Sequence, residues 1–327
     1  MREFRFSFNI FGISSRQEFA DECREAESYG YDTVFAPDHL SNIAPFPLLV
    51  AAAAATERLR VGTLVLNAAF WNPAVLAREI ATTDILTDGR LEVGLGSGHM
   101  RWEFDEAGID WIGPSARAAK LSQLVSELQR YFSTEFSQLR AGQPSPKPVQ
   151  RAGFGGFGPP LLVGGTSDSV LRIAGEHAQI VGVAGIYQVK GQPPGTFRLG
   201  TAAEVDERVA FARSRAGGRA DEVEWHLLVQ RVVITSDRRA AAEEILTEFR
   251  DYYESHAASD DRAIPTMDEI LDTPLLLLGT ADEIAAQLRR SRERWGFSYV
   301  TMHEPYMRIF APVIERLRDA AELRPRP

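Results

Sequence analysis

Residues 60–108 read RVGTLVLNAAFWNPAVLAREIATTDILTDGRLEVGLGSGHMRWEFDEAG. The run Arg60 to Leu66 is apolar and β-branched, the composition of a buried strand. Pro73 stands where a first helical turn tolerates proline, because the N–H it lacks has no intrahelical partner there. Apolar residues recur at helical spacing from Ala74 to Leu86, and Asp88-Gly89 stops that helix. Leu91 to Leu95 is a second buried strand, followed by the loop Gly96-Ser97-Gly98-His99. Two buried strands joined by a helix form a parallel βαβ unit.

The alternation extends both ways along the chain. Upstream, Phe4 to Ile10 is a short strand, and Ser14 or Ser15 caps a helix reaching about Tyr29. Thr33 to Ala36 is a strand ending at Pro37-Asp38-His39, and Leu48 to Thr56 is helical. Downstream, strands are expected at Leu161 to Val163, Gln179 to Val183, Glu224 to Ile234 and Ser298 to Met302. Helices are expected at Ser115 to Phe132, Ser167 to Gly175, Ala202 to Ala216, Arg238 to His256, Asp282 to Trp295 and Pro305 to Leu323.

About eight βα repeats in 327 residues predict one α/β domain over residues 1–327, closed into a (β/α)8 barrel. An open doubly wound sheet is the rival, but it needs a glycine-rich dinucleotide turn. Gly94-Leu95-Gly96-Ser97-Gly98 lacks that spacing and opens no helix directly. Polar loops at Thr134 to Pro160, Val189 to Gly200 and Ala257 to Asp268 interrupt the repeat. The first, rich in Gly, Pro, Ser and Gln, is expected to leave the barrel and cover its site.

A net charge of −9 argues against a nucleic-acid partner. With 44% hydrophobic residues the chain can bury a large core. The single cysteine, Cys23, excludes an intrachain disulfide and a thiolate metal cluster. No run of 18 apolar residues predicts a membrane span, and the N-terminus is a poor signal peptide, so a cytoplasmic protein is expected.

In a parallel barrel, chemistry collects at the C-terminal ends of the strands. Asp38 and His39, Asn67, Ser97 and His99, Gly164-Gly165-Thr166, and His303 with Glu304 fall on that edge. Histidine exchanges protons near neutral pH, but His39 can equally be a strand-end histidine satisfied by backbone. Gly164-Gly165-Thr166-Ser167 joins a strand to a helix N-terminus, where glycines admit an anion to unpaired N–H groups. A plain strand-to-helix turn fits those residues too. The six histidines have no metal-ligand spacing, so no metal is expected, and no GxSxG elbow occurs.

The run GTLVLNAAFWNPAVLAREIATTDILTDGRLEVGLGSG, with Glu103 and Gly108, resembles the luciferase-like monooxygenase superfamily, and more narrowly its branch using the deazaflavin coenzyme F420. EAESYGYDTVFAPDHL upstream, PPLLVGGTSDSVLRIAGEHA downstream and the C-terminal LLGTADEIAAQLRRSRERWGFSYVTM agree in order. The resemblance implies a TIM barrel with loop insertions at its C-terminal face. It places the Asp38-His39 pair beside a flavin-type ring, with Asp38 at the cofactor edge and His39 as proton donor or orienter. It puts a non-prolyl cis peptide at Leu64-Val65 behind the ring and Asn67 at its polar edge. The coenzyme phosphate falls to Gly164, Gly165 and Thr166, with Gly185 in the same region.

Two residues depart from the pattern. His99 replaces a tyrosine or, in sugar-phosphate dehydrogenases, a glutamate; it is either a second acid–base group or a pocket-lining residue. Trp71 replaces a basic residue and either stacks on substrate or packs as a wall. Glu103 and Arg117 read as structural ion-pair or capping residues. The implied activity is hydride transfer between F420 and a small organic substrate. The alternative is a monooxygenase using reduced FMN and oxygen, and a ligand-binding barrel without catalysis is a third reading. A homodimer is expected, with Leu76, Ile80, Thr83 and Leu86 as interface or barrel-facing stripe.

Overall fold

The computed structural model describes residues 2–133, 146–255 and 264–322. The first half runs β1 (Arg5–Asn9), α1 (Arg16–Ser28), β2 (Thr33–Ala36), α2 (Pro45–Ala55), β3 (Arg60–Thr63), β4 (Leu66–Asn67), α3 (Pro73–Leu86), β5 (Leu91–Gly96), α4 (Arg101–Glu106) and α5 (Pro114–Phe132). Then come β6 (Leu161–Gly165), α6 (Asp168–His177), β7 (Ile180–Val183), β8 (Ile186–Gln188), β9 (Phe197–Leu199), α7 (Ala202–Ala216) and β10 (Glu224–Leu228). The chain ends with β11 (Arg231–Ile234), α8 (Arg238–Ser255), α9 (Met267–Asp272), β12 (Leu276–Gly279), α10 (Ala281–Trp295), β13 (Phe297–His303) and α11 (Met307–Glu322).

Strands β3, β2, β1, β13, β10, β7, β6 and β5 neighbour one another in that order, and β3 pairs with β5 to close the ring. Every pairing in the ring is parallel. The expected eight-stranded barrel is therefore present. Outward residues such as Phe6, Phe8, Val61, Val93 and Val300 pack under the helices in one continuous apolar layer. Local signals agree with the sequence: Ser15 caps α1 by accepting from Glu18 N, Pro73 opens α3, and Asp88 and Gly89 take positive φ after it.

Four expectations need correction. Arg60 to Leu66 is not one strand: it breaks after Thr63 and resumes at Leu66, and the Leu64–Val65 peptide between is cis. Glu224 to Ile234 is two strands. Beyond β10 the backbone leaves the barrel, as Val229 N donates to Thr301 O but Gln230 N donates to Leu275 O, and β11 pairs with β12 outside the ring. Val189 to Gly200 is bounded by an antiparallel hairpin, β8 with β9.

The fourth concerns the excursion. Residues 134–145 and 256–263 lie outside the described residues. Residues 146–160, however, sit at the N-terminal end of the barrel, away from the strand ends where chemistry collects. Gln150 bonds to Asp84, to Leu91 O and to Arg60, the first residue of β3. A helix-to-strand connection lies on that face in any βα barrel. The C-terminal face is covered instead by the β8–β9 hairpin and by the described parts, α8 and α9, of the segment from β11 to β12. The latter has its own small core of Ala242, Ile245, Leu246, Ile270, Leu276 and Leu278. Leu76, Ile80 and Thr83 face the barrel, while Leu86 is 59% exposed.

Candidate functional site at the barrel mouth

Polar groups inside the barrel are arranged in tiers. At the N-terminal floor Glu92, fully buried, accepts from Arg5, from Arg60 at 2.7 Å and from the Tyr299 hydroxyl at 2.9 Å. Above it His226 Nε2 meets Thr301 Oγ1 at 2.6 Å, and Thr301 meets Ser7 Oγ at 2.5 Å. Burial pushes His226 down to about 3, so its ring is neutral and structural.

The mouth lies at the C-terminal ends. Asp38 and His39 follow β2, and Asn67 ends β4. The Asp38 Oδ2 atom accepts from Asn67 N at 3.1 Å and from the Trp71 indole N–H at 2.8 Å, while burial raises its pKa. Trp71 also packs edge-on against Phe46, 5.5 Å between centroids, so it is a wall residue fixed to Asp38.

His39 Nδ1 lies 2.8 Å from Glu103 Oε1, and the Leu40 N–H donates to the same oxygen at 3.1 Å. An oxygen that already accepts a backbone N–H is an acceptor for the ring as well. That assigns the proton to Nδ1 and leaves Nε2 free. Glu103 is 1% exposed and projects from α4, a helix the sequence reading did not include. Its partner is a site histidine, which local sequence does not reveal.

His99 stands edge-on to His39 at 5.5 Å. Its ring faces the open mouth, yet surrounding protein, His39 and Arg117 together lower its pKa to about 4. With its pKa so lowered, the ring is neutral near pH 7. Phe197, from β9, closes on the other side of His99 at 5.3 Å. Arg117 is withdrawn from the mouth: it donates to Gly98 O and Ile112 O and lies over Trp111 at 3.9 Å.

Glycines shape the floor of the mouth. A Cβ at Gly96 would fall 2.5 Å from Val65, and one at Gly94 would collide with Thr63 O. Val65 thus seats against the β5 glycines immediately after the cis peptide. Gly98, at φ 74°, lies so close to Asn67 that a Cβ would meet its Oδ1 at 2.5 Å. Gly165 and Gly185 are small for internal reasons, since Val170 and Leu275 occupy the space beside them. Gly164 is different: the nearest atom to its added Cβ is 3.6 Å away, in Gly182. The Thr166 hydroxyl is committed to Ile186 O at 2.8 Å, and Ser167 caps α6.

Three buried side-chain atoms at the mouth have no hydrogen-bond partner: Asn9 Oδ1, Asn67 Nδ2 and His303 Nδ1. Asn9 and His303 face each other in the β1–β13 register. Asn9 was not singled out from the sequence, although it ends β1 as Asn67 ends β4. An unmet buried polar atom costs about 1–3 kcal/mol, so these groups suit a ligand with matching donors and acceptors. Among the described residues no group of three His, Cys, Asp or Glu is arranged to hold a metal, and no helix is long and apolar enough to cross a membrane.

Two curated relatives, from Intrasporangium calvum and Nakamurella multipartita, are each named F420-dependent glucose-6-phosphate dehydrogenase. The first is 35% identical over 36% of this chain and 39% of its own length; the second is 26% identical over 74% and 70%. The oxygenase component of a flavin-dependent trigonelline monooxygenase from Acinetobacter baylyi is 30% identical over 41% of this chain and 40% of its own. The coenzyme F420-dependent tetrahydromethanopterin reductase of Methanopyrus kandleri superposes with a TM-score of 0.68 over 98% of this chain and 99% of its own, at 18% identity. The family model for luciferase-like monooxygenases matches residues 12–299, nearly the whole barrel, and the chain belongs to that family.

Proposed function

We propose that the protein is an oxidoreductase that moves a hydride between coenzyme F420 and a small organic substrate. The observation that carries this reading is His39, fixed by a buried carboxylate at one ring nitrogen and free at the other, on the rim beside Asn67 and the Leu64–Val65 peptide. When bound, the deazaflavin would supply the hydride chemistry.

The chain's own residues would do the rest. Glu103 holds the His39 ring and stabilises its positive charge when Nε2 takes or delivers the substrate proton. Asp38 fixes the backbone of Asn67, whose amide N–H₂ would donate to the cofactor's polar edge, and its second oxygen remains for that edge. Val65 would support one face of the ring. Gly164, where an added Cβ would meet no clash, would take the phosphate with Gly165 and the N-terminus of α6. Thr166 and Gly185 would hold the shape of that loop. His99, neutral, would line the substrate side.

A reduced-FMN monooxygenase is the second reading, favoured by the trigonelline monooxygenase relative. Titrating the purified protein with F420 and with FMN, followed by fluorescence quenching or calorimetry, tests both. Tight F420 binding with no FMN binding supports the first, and the reverse supports the second. Binding of neither would leave a barrel without this chemistry.

A further inference from the structure

One wall of the mouth is supplied by the β8–β9 hairpin, which stands outside the βα repeat. It is fastened from two sides. The Tyr253 hydroxyl of α8 donates to Phe197 O at 2.6 Å, and Val189 and Tyr253 are buried together against Phe249. Toward the barrel, Gly195 at φ 103° backs onto Met100, where a Cβ would lie 3.1 Å from the sulfur. The hairpin therefore presents Phe197 to His99, and the edge-to-face series Phe197, His99, His39 continues without a break at 5.3 Å and 5.5 Å.

The charge on this wall is as informative as its shape. Arg198 follows Phe197 in β9 and so points to the other face, where it pairs with Glu204 at 2.7 Å and lies over Tyr187. Arg117 is spent on carbonyl groups and Trp111. Arg101 reaches Asp105 on its own helix. Lys190 stands exposed in the segment joining β8 to β9. Against His39 a dianion would thus meet rings, and of these cations only Arg117 acts on them, through space and not by a hydrogen bond, so its desolvation would be poorly compensated. A flat neutral molecule would meet aromatic edges on that side and the His39 Nε2 at its polar end.

We propose that Phe197 and His99 are the substrate wall and that they select a flat, uncharged carbonyl compound over a phosphorylated one. This rests on the hydride-transfer reading, whose cofactor assignment is tested separately above.

Calorimetry on the full chain with three probes tests it: acetophenone, phenyl phosphate and glucose 6-phosphate, with F420 affinity measured in parallel. Acetophenone is expected to bind, phenyl phosphate at least tenfold more weakly, and the sugar phosphate more weakly still. Phe197→Ala should weaken acetophenone about tenfold and Phe197→Leu less, with F420 affinity unchanged in both. In proton spectra the His99 ring signals should move on adding acetophenone. Tighter binding of either phosphate, no acetophenone binding, or unchanged affinity in both folded variants would overturn the proposal. Loss of F420 binding with the probe order intact would instead count against the cofactor reading alone.

Discussion

The His39–Glu103 contact yields the most direct test of the site. The bond is 2.8 Å, the carboxylate is buried at 1% exposure, and its Oε1 also accepts the Leu40 N–H at 3.1 Å. A hydrogen bond to a charged group contributes about 1.5–3 kcal/mol and a neutral one about 0.5–1.5. The His39 side chain is 29% exposed, which screens part of the interaction. Glu103→Gln keeps the shape and an acceptor for Leu40 but removes the charge, so a coupling of about 1–2 kcal/mol with His39 is expected. At about 1.4 kcal/mol per factor of ten, turnover should fall by roughly 5- to 30-fold with little change in KM. The cycle of Glu103→Gln, His39→Ala and the double variant, read by urea unfolding and by turnover, isolates the pair. If Glu103 acts through His39, its replacement costs almost nothing further once His39 is gone. A coupling below about 0.5 kcal/mol in both readouts, or ring nitrogen spectra placing the proton on Nε2, would refute the arrangement.

His39→Ala itself should depress turnover far more than F420 affinity, and unchanged turnover would remove it from the mechanism. Asn67→Asp keeps the oxygen that accepts from Ala69 N but deletes the unpartnered donor. F420 affinity should drop roughly 3- to 10-fold, the urea midpoint of the free protein should fall near neutral pH because a carboxyl is then buried beside Asp38, and equal affinity in a titration would discount the donor. Gly98→Ala forces a Cβ into Asn67 at positive φ, with an expected loss of about 1–3 kcal/mol in urea unfolding. In the floor, burial alone would raise the Glu92 pKa, but the Arg5 and Arg60 charges and hydrogen bonds lower it below 4.5. A carboxyl depressed in the folded state contributes stability above its unfolded pKa and loses it as pH falls through the folded one. Wild type should therefore lose more stability than Glu92→Gln between about pH 5 and pH 3, and parallel losses would contradict this.

The barrel was legible because buried strands and amphipathic helices differ in length and period, and because caps such as Ser15 and Asn72 mark where helices begin. What composition could not show was where a strand stops belonging to the barrel. Val65 and Val229 are as apolar as their neighbours, yet one follows a cis peptide and the other precedes an exit to β12. Asp38, His39 and Asn67 were legible from their places at strand ends. Glu103 and Phe197 were not, because their partners lie far off in sequence: 64 residues separate Glu103 from His39. The Gly-Pro-rich surroundings of Phe197 read as loop and hid a hairpin. The placement of the excursion was decidable by topology alone, since it follows a helix and precedes a strand.

Polar satisfaction changes along the barrel axis, and the change separates what stabilises the fold from what awaits a ligand. At the floor every partner of Glu92 is protein, and in the middle tier His226, Thr301 and Ser7 satisfy one another. One turn of the pleat higher, the same strands carry Asn9 and His303, whose buried atoms are unmet. β1 places Ser7 and Asn9 two residues apart on the same face, so the difference follows height along the barrel axis and not the face presented. Inward glycines follow the same division. Phe35 fills the space at Gly62, Thr63 O fills it at Gly94 and Val65 at Gly96, but at Gly164 an added Cβ would meet only ordinary contacts. On the inward tiers, unmet polar atoms and room for a further group occur together at the mouth. A bound group bearing donors and acceptors would remove both deficits at once, which stability alone would have removed with a larger or less polar side chain.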